Sequence, residues 1–155
     1  MQYDERWHLD APARASGVVI LNDRQEVLLV QERKPGLEGL WHLPSGSVEA
    51  DETADQTAVR EAHEETGLQV RLTRFLNAYV GRMPSGALIV RTAWLAEATG
   101  GTLKPVFDQE IADARWFSRA EVEQLSASRR LRMHHTRLFL EDAYRLTGAA
   151  PAPIS

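Results

Sequence analysis

The chain has 155 residues, of which 43% are hydrophobic, and this length suits one compact domain over residues 1–155 with a core at about 14–147. The absence of cysteine excludes a disulfide framework and a thiolate metal site, and the net charge of −4 argues against a surface for duplex nucleic acid. The polar start MQYDERWHLD is unlike a signal peptide, and no apolar run reaches the ~20 residues of a membrane span, so a cytoplasmic protein without a membrane partner is expected.

Short strands are predicted in the first part of the chain. The Val/Leu-rich runs 17–23 and 26–32 are separated by the turn-prone Asn22-Asp23-Arg24, which predicts a β-hairpin. A Pro/Gly loop follows over 33–39, and residues 40–44 form a short strand.

A helix of three to four turns is predicted next. Thr53 followed by Gln56 is a capping-box start, and Gly67 suits a left-handed C-terminal cap. Residues 54–66 between these caps contain neither proline nor glycine.

Three carboxylates share one narrow face of this helix. At 100° per residue, Glu65 lies about 40° from Glu61 on one side, and Glu64 lies about 60° away on the other. Arg60 reaches Glu64 across one turn, but such a pair is worth only about 0.2–0.5 kcal/mol and cannot neutralise three charges. Mg²⁺ prefers oxygen ligands and bridges carboxylates to substrate phosphates, so Mg²⁺ or Mn²⁺ is the predicted counter-charge.

Two further features bear on this metal site. Small alanines at 54, 58 and 62 would let the helix lie close to the loop at Gly46, where a backbone carbonyl could complete the site. Residues 49–65 carry seven acids against one arginine, whereas the rest of the chain has 15 acids and 17 bases. This distribution suits a small anionic ligand held through metal, Arg and Lys. The alternative is a solvated acidic helix, which is the usual meaning of clustered acids.

Strands and helices alternate through the second half of the chain. Runs 69–81 and 87–97 predict a long hairpin turning at residues 83–86, and 114–117 predicts another strand. Ser118 opens a helix to residue 125 with a glutamate at its capping-box position, and 134–146 is a final amphipathic helix before a frayed tail. The predicted fold class is α/β, with helices covering a mixed sheet.

The fixed residue types GSVEADETADQTAVREAHEETGL at 46–68 form a motif that resembles the Nudix box. GLWHLPSG at 39–46 resembles that family's approach strand, and RWFSRAEVEQL at 115–125 resembles its closing segment, so the resemblance covers roughly 17–125. It implies an α/β/α sandwich and hydrolysis of a pyrophosphate bond in nucleoside diphosphate derivatives with Mg²⁺ or Mn²⁺. The chain departs from the usual pattern at Ser45, where many members have glycine, and at Ala62, where a larger apolar residue is common.

The resemblance also implies roles for individual residues. Glu61, Glu64 and Glu65 would be metal ligands, Gly46 a carbonyl ligand, and Arg60 would hold Glu64 in position. The catalytic base would be Glu61 or an acid of a later loop, for which Glu110 is the candidate.

Five residues are candidates for substrate contacts, although basic loop residues are more often solvated and aromatic residues more often internal. The two basic loop residues would hold distal phosphates, and the others would flank a base. They are Arg33, Lys34, Tyr79, Arg82 and Phe107. Trp41 is expected in the core, and His42 is expected to be a satisfied core or surface residue rather than a metal ligand.

The resemblance to a bacterial subgroup acting on nucleoside triphosphates and dinucleoside polyphosphates favours a small nucleotide as the substrate. The alternatives are a non-catalytic nucleotide or ADP-ribose sensor, which an intact box disfavours, and an RNA pyrophosphohydrolase, which would need a basic groove. The long strands and the aromatic C-terminal helix also suit a homodimer.

Overall fold

The computed structural model describes residues 13–106, 109–132 and 134–148. Within them the chain forms seven strands and three helices. In chain order these are β1 Ala13–Ile20, β2 Val27–Glu32, β3 Trp41–His42, β4 Ser45–Ser47, α1 Ala54–Thr66, β5 Leu68–Arg82, β6 Leu88–Gly101, β7 Ile111–Phe117, α2 Arg119–Ala127 and α3 His134–Thr147.

The strands form two sheets. A mixed sheet has the order β4-β1-β6-β5, in which β1 runs parallel to β6, and an antiparallel sheet has the order β3-β2-β7. The predicted hairpin between 17–23 and 26–32 is therefore wrong, because β1 and β2 belong to different sheets and the two runs pair only at the isolated antiparallel bridge between Leu21 and Val27. Both edges of β1 are already taken by β4 and β6, so β2 has no edge to pair with.

Helices cover the sheets on both sides, which confirms the predicted α/β sandwich. On one side α1 contributes Ala58 and Ala62 to a core with Val18 and Ile20. On the other side α2 and α3 contribute to a second core, which also contains alternate residues of β1, β2 and β6. Its members from the two helices are Val122, Leu125, Phe139, Leu140, Ala143 and Tyr144.

Most other predicted elements are confirmed. The long hairpin of β5 and β6 turns at residues 83–86, and α2 begins after Ser118, whose side chain accepts a hydrogen bond from the Glu121 amide. Strand β7 begins at Ile111, three residues earlier than predicted. Trp41 is a core residue whose ring meets Phe117 edge-on, with centroids 4.8 Å apart. The predicted frayed tail lies outside the described residues. Within the described residues, no helix is long and apolar enough to cross a bilayer.

Helix α1 begins and ends where the sequence predicts. The Thr53 amide donates to Gln56 Oε1 at 3.0 Å, and Gly67 has the left-handed conformation, with φ at 80°. A Cβ on Gly67 would collide with backbone carbonyls of the segment that follows β6. Amides of that segment, at Lys104 and Val106, donate to the carbonyls of Thr66 and Glu64, which ties it to the last turn of α1.

Candidate active site

Two of the three predicted carboxylates of α1, Glu61 and Glu65, lie beside β4, whereas Glu64 is held by Arg60 and does not line the cleft described below. Glu65 is only 6% exposed, and its Oε1 accepts a hydrogen bond of 2.7 Å from the Ser45 amide. The Glu61 carboxylate lies against Gly46 so closely that a Cβ at this position would overlap it. The glycine therefore keeps the β4 backbone next to the carboxylate of Glu61.

Arg60 is held by several acids at once. It donates to Glu61 Oε1 at 3.0 Å and to Glu64 Oε2 at 3.1 Å, as the sequence predicts for Glu64. Its strongest partner is Glu52, which accepts from Nε at 2.7 Å and from Nη2 at 2.8 Å. The Thr57 hydroxyl donates to the same Glu52 side chain at 2.9 Å. Sequence reasoning used Glu52 as a fixed position of the box but gave it no role.

Two of the carboxyl groups resist ionisation in the absence of a cation. Burial raises the pKa of Glu61 to about 7 against the opposing charge of Arg60, with smaller contributions from the charges of Glu64 and Glu110. Burial also raises the pKa of Glu65 well above its usual value, although the hydrogen bond from Ser45 opposes this. Clustered, partly dehydrated carboxyl groups of this kind are suited to binding a divalent cation.

The donors fit Mg²⁺ or Mn²⁺ in their chemistry. All are oxygens, from three carboxylates and from the β4 backbone at Gly46, and hard cations prefer such ligands. In the described part of the chain, no three acidic or histidine side chains are already placed so that they could coordinate one metal ion together. Arg60 holds one oxygen of Glu61 and one oxygen of Glu64.

A cleft of about 420 Å³ opens beside these residues. It brings Glu110 and Lys34 together with Glu61, Glu65 and Gly46, as the sequence predicts for a common site. Five further charged or titratable side chains also line the cleft, and sequence reasoning gave none of them a functional role. They are Glu32, His42, Glu49, Arg91 and Arg132.

The other predicted substrate contacts do not line this cleft. The Arg33 side chain is exposed, while its backbone amide donates to the Glu110 carbonyl at 2.9 Å. The Tyr79 hydroxyl bonds to Asp142 of α3, and Arg82 donates to the Gly86 carbonyl of its own hairpin turn. Phe107 lies outside the described residues.

A buried ionic network forms one part of the cleft. Glu32 Oε2 accepts from His42 Nε2 at 2.6 Å and from Arg132 Nη1 at 2.8 Å, while His42 Nδ1 lies 2.6 Å from the Leu43 carbonyl. Burial alone would raise the pKa of Glu32, but the hydrogen bond and charge of His42 and the charge of Arg132 outweigh it and lower the pKa. His42 is thus a satisfied core residue, as expected, and the network holds Arg132 at the cleft.

A family model described as the NUDIX domain matches residues 11–138, which include the acidic helix and the whole cleft. The chain belongs to the Nudix hydrolase family. Among curated relatives, it is 38% identical to an 8-oxo-dGDP phosphatase of Danio rerio over 66% of this chain and 31% of that protein. It is 35% identical to a NAD-capped RNA hydrolase of Vibrio vulnificus over 65% of this chain and 37% of that protein. The chain spans about a third of the length of these curated relatives.

Solved Nudix structures share the fold. A NUDIX hydrolase from Nitrosomonas europaea superposes with a TM-score of 0.77 at 25% identity, covering 92% of this chain and 93% of that one. A MutT NUDIX hydrolase from Burkholderia pseudomallei gives a TM-score of 0.73 at 26% identity, covering 86% of this chain and 98% of that one. Residues 46–68, which resemble the Nudix box, lie within the range that the family model matches.

Proposed function

We propose that this Nudix chain hydrolyses a pyrophosphate bond in a nucleoside diphosphate linked to another group, with Mg²⁺ or Mn²⁺ as cofactor. The observation that carries the proposal is the common cleft of Glu61, Glu65, Glu110 and Lys34. One small anionic substrate could therefore contact both the acidic side chains that would hold a cation and the lysine that would hold phosphate. Such a cleft suits a free nucleotide.

The residues of the cleft divide the chemical work. Glu61, Glu64, Glu65 and the Gly46 carbonyl would hold the cation, and Arg60 is a positioning residue for the first two. When bound, the cation neutralises charge on the diphosphate and activates water. Lys34 and Arg132 would add positive charge against the phosphates.

The proton of the attacking water needs an acceptor, for which there are two candidates. Glu110 lies in the cleft, and its charge contributes to the raised pKa of Glu61, so both acids are close to the reacting region. A general base has to lie within hydrogen-bond reach of the water, directly or through a second water. Replacing each acid by glutamine distinguishes the two candidates. Loss of the general base removes the acidic limb of the pH–rate profile, whereas loss of a ligand alone raises the metal concentration that the enzyme requires.

For the substrate we propose a nucleoside triphosphate, including oxidised forms, or a dinucleoside polyphosphate. The similarity to an 8-oxo-dGDP phosphatase supports the oxidised nucleotides. A homodimer remains a prediction from the sequence.

The test is Mg²⁺-dependent product release from a panel containing nucleoside di- and triphosphates, their 8-oxo-guanine forms, diadenosine polyphosphates, ADP-ribose and capped RNA. Wild type is measured beside Glu65→Gln and beside Glu123→Gln, an exposed acid of α2. Turnover that Glu65→Gln loses and Glu123→Gln keeps would support the proposal. Binding of nucleotides without turnover of any panel member would replace it with a nucleotide sensor.

A further inference from the structure

Arg91 occupies an unusual place in the cleft. It lies on β6 directly beside Ala15 of β1, and it lines the cleft that contains the Nudix carboxylates. Its neighbours Ile89 and Ala93 along the strand are buried, and Ala93 belongs to the core that α2 and α3 cover. The Arg91 side chain is itself partly buried and lies on the same face as they do.

No acid compensates the charge of Arg91 in the described part of the chain. Arg60 and Arg132 of the same region are paired with glutamates, but Arg91 makes no ion pair or hydrogen bond with a described residue. Burial and the like charge of Arg132 lower the pKa of the Arg91 guanidinium, and no acid counteracts them. An arginine remains charged under these conditions, so the site carries an unpaired, partly dehydrated cation. A ligand that brings acceptors would relieve this cost.

The cleft around Arg91 offers apolar as well as charged side chains. Ala15, Ile89 and Met83 line the same cleft around it. The recess behind it, towards His135 and Phe139, has room for about 10 Å³, which is at most one water. A ring therefore fits only on the open side of Arg91, against the apolar side chains. Ligand pockets commonly combine such walls with a few polar groups that set orientation.

Arg91 also stands at a suitable distance from the metal side of the cleft. Ala15 pairs with Ser47 on one side and with Arg91 on the other, so the three residues form a row across β4, β1 and β6. Two strand spacings separate Ser47 from Arg91, which is about 10 Å. A nucleotide whose diphosphate lies beside Gly46 would reach Arg91 with its base.

Building on the proposed function, we infer that Arg91 binds the base of the substrate and selects a purine with a carbonyl at C6, as in guanine, over adenine. An arginine side chain carries only donors, and guanine presents acceptors at O6 and N7, whereas adenine presents an amino donor at the corresponding edge. The 8-oxo form of guanine keeps O6 as an acceptor. Adenine keeps only N7 as an acceptor and would place its amino donor against the guanidinium where guanine offers O6.

The test measures binding separately from turnover. Guanosine and adenosine monophosphate are titrated in EDTA against wild type, Arg91→Ala, Arg91→Lys and Arg74→Ala, an exposed arginine of β5. Wild type is expected to bind the guanosine nucleotide about tenfold more tightly, and Arg91→Ala to lose that preference while binding the adenosine nucleotide as before. Arg91→Lys should lose most of the preference, because an ammonium group cannot donate the two parallel hydrogen bonds that a guanidinium group can donate. Arg74→Ala should keep it.

Two outcomes would overturn the inference. Wild type without a guanine preference would do so, and so would an Arg91→Ala variant that binds both nucleotides more weakly by the same factor, because that pattern indicates a phosphate contact. Arg91 has no described partner that its removal would leave unpaired, so an unchanged Tm is expected to show that the fold is intact. Failure to hydrolyse any pyrophosphate, with an Arg91-dependent guanine preference in binding, would reject the proposed function and leave this inference standing.

Discussion

Arg60 and Glu52 form two parallel hydrogen bonds, from Nε to Oε2 at 2.7 Å and from Nη2 to Oε1 at 2.8 Å. This pairing leaves Nη1 of Arg60 free to reach Glu61 and Glu64. Glu52 therefore fixes the guanidinium, and the guanidinium in turn fixes two proposed metal ligands.

Replacing Arg60 by lysine should disable this arrangement. An ammonium group cannot bind Glu52 through two parallel bonds and still reach the other acids. We expect kcat/KM to fall at least about tenfold and the Mg²⁺ concentration for half-maximal rate to rise, as for other losses of ligand-orienting contacts. A metal titration of the steady-state rate measures both.

The matched control is Arg71→Lys, which alters an exposed arginine paired with Glu97 across β5 and β6. It should leave both quantities unchanged. Equal effects of the two substitutions would mean that Arg60 has no special part in the site.

Replacing Gly46 by alanine should displace the Glu61 carboxylate. The added methyl group would occupy space that this carboxylate now fills, and the side chain can swing away while the fold remains. We expect at least about a tenfold fall in kcat/KM, in the range for a lost ligand contact, with little change in Tm. Gly81→Ala is the control, because its Cβ would meet nothing closer than 3.8 Å.

Replacing Glu65 by glutamine should separate stability from metal binding. The folded pKa of Glu65 is raised, so the ionised carboxylate destabilises the metal-free protein increasingly as pH rises from about 4.5. The amide keeps an acceptor for Ser45 without the charge. At pH 8 in EDTA we expect Glu65→Gln to have a Tm at least about 3 °C above wild type, which corresponds to roughly 1 kcal/mol.

Mg²⁺ should reverse that order, because it stabilises only the form that binds it. Thermal unfolding of both proteins with and without Mg²⁺ measures the effect. A metal-dependent Tm rise of equal size in Glu65→Gln would show that Glu65 is not a ligand.

Replacing Glu32 by glutamine should cost stability in a pH-dependent way. The folded pKa of Glu32 is lowered, so its ionised form stabilises the protein above about pH 4.5 and that stabilisation is lost as pH falls through the folded pKa. At pH 7 we expect a loss of about 3 kcal/mol, since His42 and the partly exposed Arg132 would lose their buried counter-charge. Urea unfolding at pH 7 and pH 4 should show the difference from wild type shrinking at the lower pH.

Glu97→Gln provides the contrast for this measurement, because Glu97 belongs to an exposed ion pair. Its effect should stay within about 0.5 kcal/mol at either pH. A pH-independent loss in Glu32→Gln would instead indicate a packing defect at that position.

The parts of the molecule that sequence predicts are those set by neighbours along the chain. The caps of α1, its carboxylate face and the β5–β6 hairpin follow from spacings of a few residues. The sequence did not predict contacts between distant segments. Arg132 donates a hydrogen bond to Glu32, 100 residues away along the chain, and the Tyr79 hydroxyl donates to Asp142, 63 residues away. Arg91 carries no local signal at all, because its significance depends on which acids the fold keeps away from it.

The mixed sheet has two cores, one packed against α1 and the other packed against α2 and α3. Substitutions that do not share a packing partner usually have additive effects. In the course of evolution, substitutions inside one core can therefore accumulate with little effect on the packing of the other core, while the cleft that Glu61 and Arg91 both line is preserved.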